Sequence, residues 1–283
     1  MGAAATAGPS TSQLLVDSSA FYRLSLAELE AIAARAAVLV SPVSLAEILS
    51  HLDEPRRRDE TCGGAGAVRR DCLCKCDLLR TVWEPLADRP PFAGLCRCLD
   101  EPDEGGMPGK VAERLRDALE DAWRSHARRS LDFRESLVAR LGLGHALSLS
   151  GREFVRLAAE GVQALAKEYA ELGVEVLALE GVLFSSLYPL AGFRLARAQD
   201  DLRRSRSGAG PDLAPGAMED ELLCRHLHLL EPRALVTADP QVRSALNRAL
   251  AELAGASAEM GIEVVALTRA MSVEDVLRAF PAA

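Results

Sequence analysis

The stretch "LLVDSSAF", residues 14–21, decides the fold class of this chain. Its first three residues are apolar, which is typical of a short strand buried on both faces. The run ends at Asp17, and two serines follow it. A carboxylate in this position indicates a site, because ligands bind in open parallel sheets at the carboxyl ends of the strands.

Five short apolar runs in all indicate strands, at residues 14–16, 37–40, 174–179, 234–237 and 262–267. Helical patterns separate them, and strands that alternate with helices are typical of a parallel sheet covered on both faces. The sequence therefore predicts an α/β fold with a five-stranded parallel sheet in a three-layer α/β/α arrangement.

The pattern breaks between the second and third runs, which predicts a discontinuous core. Residues 1–12 are small and polar and are expected to be a disordered lead. Residues 13–52 and 173–283 are assigned to the α/β core, and residues 53–172 to a Cys-containing loop and a mainly helical insertion. The helical part of this insertion carries apolar stripes, which must bury against the core or against a second subunit. A homo-oligomer is therefore left open.

The overall composition excludes some classes of protein. The chain has 283 residues, of which 49% are hydrophobic, and a net charge of −8. This balance argues against a protein that coats nucleic acid, although a local basic patch can still bind it. No stretch reads as a signal peptide or a membrane span, so we expect a soluble, cytoplasmic protein without a membrane partner.

Further acids lie near the ends of other predicted elements. Asp239 follows the fourth strand, Glu47 lies in the helix after the second strand, and Asp220 and Glu221 lie in the helix that precedes the fourth. If the first three strands wind one way and the last two the other, strands one and four are neighbours at the switch point. Asp17 and Asp239 would then face each other across one crevice.

Each acid also has a structural interpretation. The pair Ser44 and Glu47 has the spacing of a capping box, and Asp239 before Pro240 suits a helix N-cap. Acids at 219–221 suit a helix N-terminus through the macrodipole. Together, however, such carboxylates would repel one another by about 4 kcal/mol per close pair at an effective dielectric constant of 20. A hard divalent cation, Mg²⁺ or Mn²⁺, would relieve this repulsion.

Three segments, "LLVDSSAF", "VSPVSLAEIL" and "EDELLCRHLHLLEPRALVTADPQ", resemble the PIN-domain nucleases. That family has an acid after the first strand, one on the second helix, one in a later helix and one in a "T-x-D" motif after the fourth strand. The hydroxyl-bearing residues Ser19 and Thr237 match positions beside the first and last acids, with Glu221 as an alternative third acid. The resemblance maps the four acids to Asp17, Glu47, Asp220 and Asp239.

The resemblance implies metal-dependent hydrolysis of RNA phosphodiester bonds. The four acids would be both the catalytic residues and the ligands of Mg²⁺ or Mn²⁺, and the two hydroxyls would fix the carboxylates. An alternative is a catalytically inert PIN-like module that binds RNA or a protein partner. A phosphatase of another α/β family is less favoured, because Asp17 is followed by serines and not by an Asp-x-Asp pair. Whether a cognate inhibitor protein exists is left open.

Six of the seven cysteines fall between residues 62 and 98. Zinc sites usually have two to four residues between paired cysteines, whereas "CLCKC" and "CRC" have one. Cys72 and Cys76 are one helical turn apart and are equally suited to burial. The spacing thus favours buried or incidental thiols over zinc.

Overall fold

A computed structural model of the chain describes residues 13–50, 67–81, 108–171, 180–208, 215–227, 233–259 and 269–281. The strands are β1 Gln13–Val16, β2 Ala37–Val40, β3 Arg80–Thr81, β4 Arg233–Val236 and β5 Arg269–Met271. The helices are α1 Ser18–Arg23, α2 Leu26–Ala33, α3 Pro42–Ser50, α4 Ala67–Cys76, α5 Pro108–Leu141, α6 Leu143–Ser148, α7 Gly151–Glu171, α8 Glu180–Arg206, α9 Pro215–Leu223, α10 Pro240–Glu259 and α11 Val273–Ala279.

The sheet has the order β3-β2-β1-β4-β5, and every pairing is parallel. β1 lies in the centre, with Val16 opposite Val40 of β2 and Val236 of β4. The chain moves outward from β1 to β3, and then returns to the other side of β1 as β4 and β5. The switch point therefore lies between β1 and β4, as the sequence predicted.

The α/β class and the parallel sheet are confirmed, but the prediction of five full strands is not. Four strands have three or four residues, and β3 is a two-residue pairing at the edge. The predicted strands at 174–179 and 262–267, and the predicted lead at 1–12, lie outside the described residues. β3 and α4 fall within the range assigned to the insertion.

Both faces of the sheet are apolar, because alternate side chains of each strand point in opposite directions. One face carries Leu39, Leu15, Leu235 and Ala270 in register, and the other carries Val40, Val16, Val236 and Met271. Because the buried residues of these strands are apolar and successive side chains point to opposite faces, the sheet carries two separate apolar clusters, one on each face.

Helices complete both clusters. α7, α8 and α10 contribute Phe154, Phe193 and Leu246 to the first cluster, which confirms that the apolar stripe of α7 packs on the core. α1 and α3 contribute Phe21 and Ile48 to the second, together with residues of α2, α4 and α11. None of the described helices combines the length and apolarity needed to cross a bilayer.

Candidate active site

Asp17 is held rigidly at the carboxyl end of β1. It is the N-cap of α1, where its Oδ1 accepts the backbone N–H of Ala20 at 2.7 Å. The Ser19 hydroxyl lies 2.9 Å from both carboxylate oxygens. The backbone N–H of Asp17 donates to the carbonyl of Val236 at 3.1 Å, which joins this carboxylate to the end of β4. Only 4% of Asp17 is exposed, so its charge lies in a protein environment.

Two hydroxyls connect Asp17 to the turn after β4. Ser19 Oγ accepts the backbone N–H of Ala238 at 3.0 Å, and Thr237 Oγ1 accepts the backbone N–H of Asp239 at 3.0 Å. The Thr237 hydroxyl also hydrogen-bonds the Asp17 carboxylate, and this bond partly offsets the rise in the pKa of Asp17 that burial causes. Since Thr237 is fully buried, these bonds fix the relative positions of the first and last predicted acids.

Asp239 has the predicted N-cap role as well as a place at the site. Its Oδ1 accepts the backbone N–H of Gln241 at 2.6 Å and that of Val242 at 3.3 Å, at the start of α10. These bonds orient the carboxylate and use only one of its oxygens. The structural and functional interpretations of Asp239 are therefore compatible.

The capping box predicted for Ser44 and Glu47 is wrong. α3 begins at Pro42, and the cap is Ser41, whose Oγ accepts the backbone N–H of Ser44 at 3.0 Å. Serine followed by proline is a favoured helix start, and it displaces the expected start by one turn. Glu47 consequently lies in the second turn, where capping gives no reason for a carboxylate.

The macrodipole interpretation of residues 219–221 is wrong too. α9 begins at Pro215 and has no acid in its first turn, so these acids are its fifth to seventh residues. The helix dipole stabilises anions at the N-terminus and not near the C-terminus. Helix polarity therefore does not explain why three acids occur here.

Successive residues of α9 face different neighbours, and this separates the two candidates for the third acid. The Asp239, Asp17 and Glu47 carboxylates lie close enough to raise the pKa of Asp220. Glu221 instead forms an ion pair with Arg194 of α8 and lies 3.6 Å from the imidazole of His126. Asp220 thus belongs to the crevice with the other acids, and Glu221 belongs to the α5–α8 side of α9.

Sequence reasoning missed Glu219 as a site residue. Its carboxyl group hydrogen-bonds Glu47, and burial, followed by the charge of Glu47, raises the pKa of Glu219 to about 9. It is 8% exposed. The signal in the sequence is the acidic triplet "EDE" at residues 219–221, whose interpretation through the helix dipole does not hold.

The pKa values of the crevice acids show that negative charge is poorly compensated there. Burial is the largest cause that raises the pKa of Asp17, to about 6, and it outweighs the opposing hydrogen bonds from Thr237, Ala20 and Ser19. Burial also raises the pKa of Asp220 well above its ordinary value, although the charge of Arg197 partly offsets it. Such carboxyl groups are available to a cation that displaces their protons.

The donor set fits a hard divalent cation. Carboxylate oxygens dominate it, and Mg²⁺ and Mn²⁺ prefer oxygen ligands. No three acidic, imidazole or thiol side chains among the described residues are already spaced as ligands of one ion. The acids share one crevice without forming a ready-made metal shell, and metal binding stays a prediction.

The described cysteines favour packing over zinc. Cys72 and Cys76 of α4 lie in the apolar cluster on the second face of the sheet, and Cys74 is exposed. Burial raises the pKa of the Cys76 thiol to about 12, so it stays protonated, whereas zinc requires the thiolate. The segment that holds Cys62, Cys96 and Cys98 lies outside the described residues.

Comparison with known proteins finds no match, whether to protein-family models, to curated proteins or to solved structures. The resemblance to PIN-domain nucleases therefore rests on the motif residues alone. The geometry of the crevice is the independent observation from which a function can be argued.

Proposed function

We propose that this chain is a Mg²⁺- or Mn²⁺-dependent endoribonuclease of PIN type, with a three-layer α/β/α core and a helical insertion. The observation that carries the proposal is that Asp17 and Asp239 follow the adjacent strands β1 and β4 and are joined through Ser19 and Thr237. The charges of Asp239, Asp17 and Glu47 add to the rise that burial causes in the pKa of Asp220, which supports placing Asp220 and Glu47 beside them. Burial and neighbouring carboxylates raise the pKa of Asp17 and of Asp220, which costs stability while no cation is present. Such arrangements are concentrated at functional sites.

These four acids would hold the metal, and Glu219 would join them once it loses its proton. A bound metal ion would supply a water of lowered pKa and would neutralise charge on the phosphate. The chain's own contribution is orientation. Ser19 and Thr237 fix the carboxylate of Asp17, and the helix cap at α10 fixes that of Asp239.

Glu219 and Glu47 form a proton-holding pair. With a pKa of about 9, Glu219 keeps its proton at neutral pH and donates a hydrogen bond to the Glu47 carboxylate. This removes one negative charge from the crevice while no cation is present. Because a metal binds the deprotonated form, its binding would release this proton and would strengthen as the pH rises.

Three arginines, Arg203, Arg204 and Arg206, lie in the last turn of α8. Arg203 is ion-paired with Asp200, and Arg204 with Asp201, so their charges are used within the helix. A second basic run, "RRR" at residues 56–58, lies outside the described residues.

A cleavage assay on a mixed pool of fluorescent single-stranded RNA tests this proposal. We expect cleavage with Mg²⁺ or Mn²⁺, none with excess chelator, and none in Asp17→Asn or Asp239→Asn. Asp117→Asn, an exposed acid of α5, is the matched control and should cleave normally. Cleavage that persists in both site variants or in chelator would refute the enzyme, and RNA binding without cleavage would favour the inert module.

A further inference from the structure

A cavity of about 400 Å³ lies between α5, α8 and α9, beside the carboxylate crevice. This cavity, the arginine pocket, has a lining that includes Arg129, Phe133, Arg134, Arg194, Arg197 and Glu221. Lining residues of α5 recur at helical spacing along one face of that helix. The volume lies within the usual range for sites that bind small molecules or single residues of a polymer.

The arginine pocket and the carboxylate crevice are adjacent. Arg197 lines the pocket, and its charge lowers the pKa of Asp220, which faces the crevice. Glu221 lines the pocket and is the next residue of α9, about 100° further around the helix. A ligand in the pocket thus lies one helix face away from the acids.

The cations of the pocket differ in what they bind. Arg194 is ion-paired with Glu221, and Arg134 contacts Asp201 at 3.3 Å. The Nε of Arg134 is buried and lacks a hydrogen-bond acceptor among the described residues. Arg129 is exposed and has no ion pair within the described part of the chain. Asp132 and Asp201 also line the pocket, but Asp201 is already paired with Arg134 and Arg204. Four arginines against three acids leave the lining net positive, and the exposed Arg129 offers donors to an anionic ligand rich in oxygen atoms.

Aromatic rings complete the lining. Phe133 is 37% exposed, one of two large apolar side chains that stand out from the surface among the described residues. Phe193 is buried, and the Arg197 guanidinium lies over its ring at 6.0 Å from the centroid. An exposed ring next to guanidinium groups is the combination that proteins use to stack a base and bind its phosphate.

We infer that the arginine pocket binds one nucleotide of a single-stranded RNA that continues into the carboxylate crevice. Its base would stack on Phe133, and its phosphate would contact Arg129 and Arg197. This inference rests on the proposed function, because the RNA strand is expected to reach the pocket only if it is also bound in the carboxylate crevice. It also explains how a chain with a net charge of −8 draws a polyanion toward an acidic site.

Fluorescence anisotropy with a labelled 12-nucleotide single-stranded RNA, in chelator so that nothing is cut, tests the inference apart from catalysis. We expect Phe133→Ala to weaken binding about tenfold, as loss of one base stack does. We expect Arg129→Ala to lower the slope of log K against log salt by about 0.7. The matched controls are Leu143→Ala, the other exposed apolar residue, and Arg128→Ala, an exposed neighbour outside the pocket; both should bind as the wild type does.

The outcomes separate this inference from the proposed function. If Phe133→Ala and Arg129→Ala bind as their controls do, the pocket inference is wrong, even if cleavage needs the acids. If binding depends on the pocket but no metal supports cleavage, the inference stands and the nuclease does not. The assignment to an RNA strand would be overturned by two results together. A mononucleotide or polyglutamate would displace the labelled RNA, and Phe133→Ala would leave the affinity for the RNA unchanged.

Discussion

Asp17→Asn should stabilise the metal-free protein while it abolishes activity. The Asp17 carboxylate is buried near the charge of Glu47. An asparagine keeps an oxygen that can accept the backbone N–H of Ala20, so the cap of α1 is preserved. Its amide can donate to the hydroxyl of Ser19 or Thr237. The variant thus removes the buried charge and little else.

The size of this effect follows from the pKa of Asp17, which rises from 3.8 to about 6 on folding. At about 1.4 kcal/mol per pKa unit, the ionised group costs the folded state about 3 kcal/mol at pH 8. The folded state binds the proton more tightly than the unfolded state, so stability from this group is lost as the pH rises from about 4 through 6. The same relation leaves about half of this cost at pH 5.

Urea unfolding in chelator, at pH 5 and pH 8, measures this difference. The free energy of unfolding of Asp17→Asn should exceed that of the wild type by up to about 3 kcal/mol at pH 8, and by about half as much at pH 5. Added Mg²⁺ should stabilise the wild type and not the variant. The conclusion that Asp17 carries a buried, uncompensated charge would be refuted by either of two results. The variant could be less stable than the wild type at pH 8, or the difference in their free energies of unfolding could be independent of pH.

Three further predictions concern the surroundings of the crevice. Thr237→Val removes a hydroxyl that supports an acid, so metal affinity or cleavage should fall roughly 10–100-fold, with recovery in Thr237→Ser, as measured by kinetics against metal concentration. Glu221→Gln removes the charge that pairs with the half-buried Arg194, so it should lower stability by roughly 1–3 kcal/mol and leave measurable cleavage. Asp220→Asn should abolish cleavage without loss of stability, and the opposite pattern would make Glu221 the site acid. Calorimetric titration at pH 7 to pH 9 should show that the affinity of the wild type for Mn²⁺ rises with pH, because Glu219 has a pKa of about 9 and must lose its proton to bind the metal. The rise should be smaller in Glu219→Gln. If affinity rises equally with pH in both proteins, the metal does not displace a proton from Glu219.

The sequence by itself determined the centre of the sheet and the two acids beside it. β1, β2 and β4 are uniformly apolar runs, and such runs are buried wherever the chain places them. Asp17 and Asp239 follow β1 and β4 within a few residues, so the parallel pairing of those strands is enough to bring them to one edge. The sequence was sufficient here because each acid lies within three residues of the end of its strand.

Edge strands and helix starts, in contrast, depend on tertiary structure. β3 and β5 have weak strand patterns of their own and form because β2 and β4 offer them backbone hydrogen-bonding partners. The start of α3 at Pro42 decides whether Glu47 caps a helix or faces the crevice.

Tertiary structure also decided how the acids of α9 divide between two sites. Each residue turns a helix by about 100°, so the rotation of α9 against α3, α5 and α8 determines that Asp220 meets the crevice and Glu221 meets Arg194. Asp220 and Glu221 are adjacent in the sequence, but their contacts differ because α9 packs against helices that are distant in the chain.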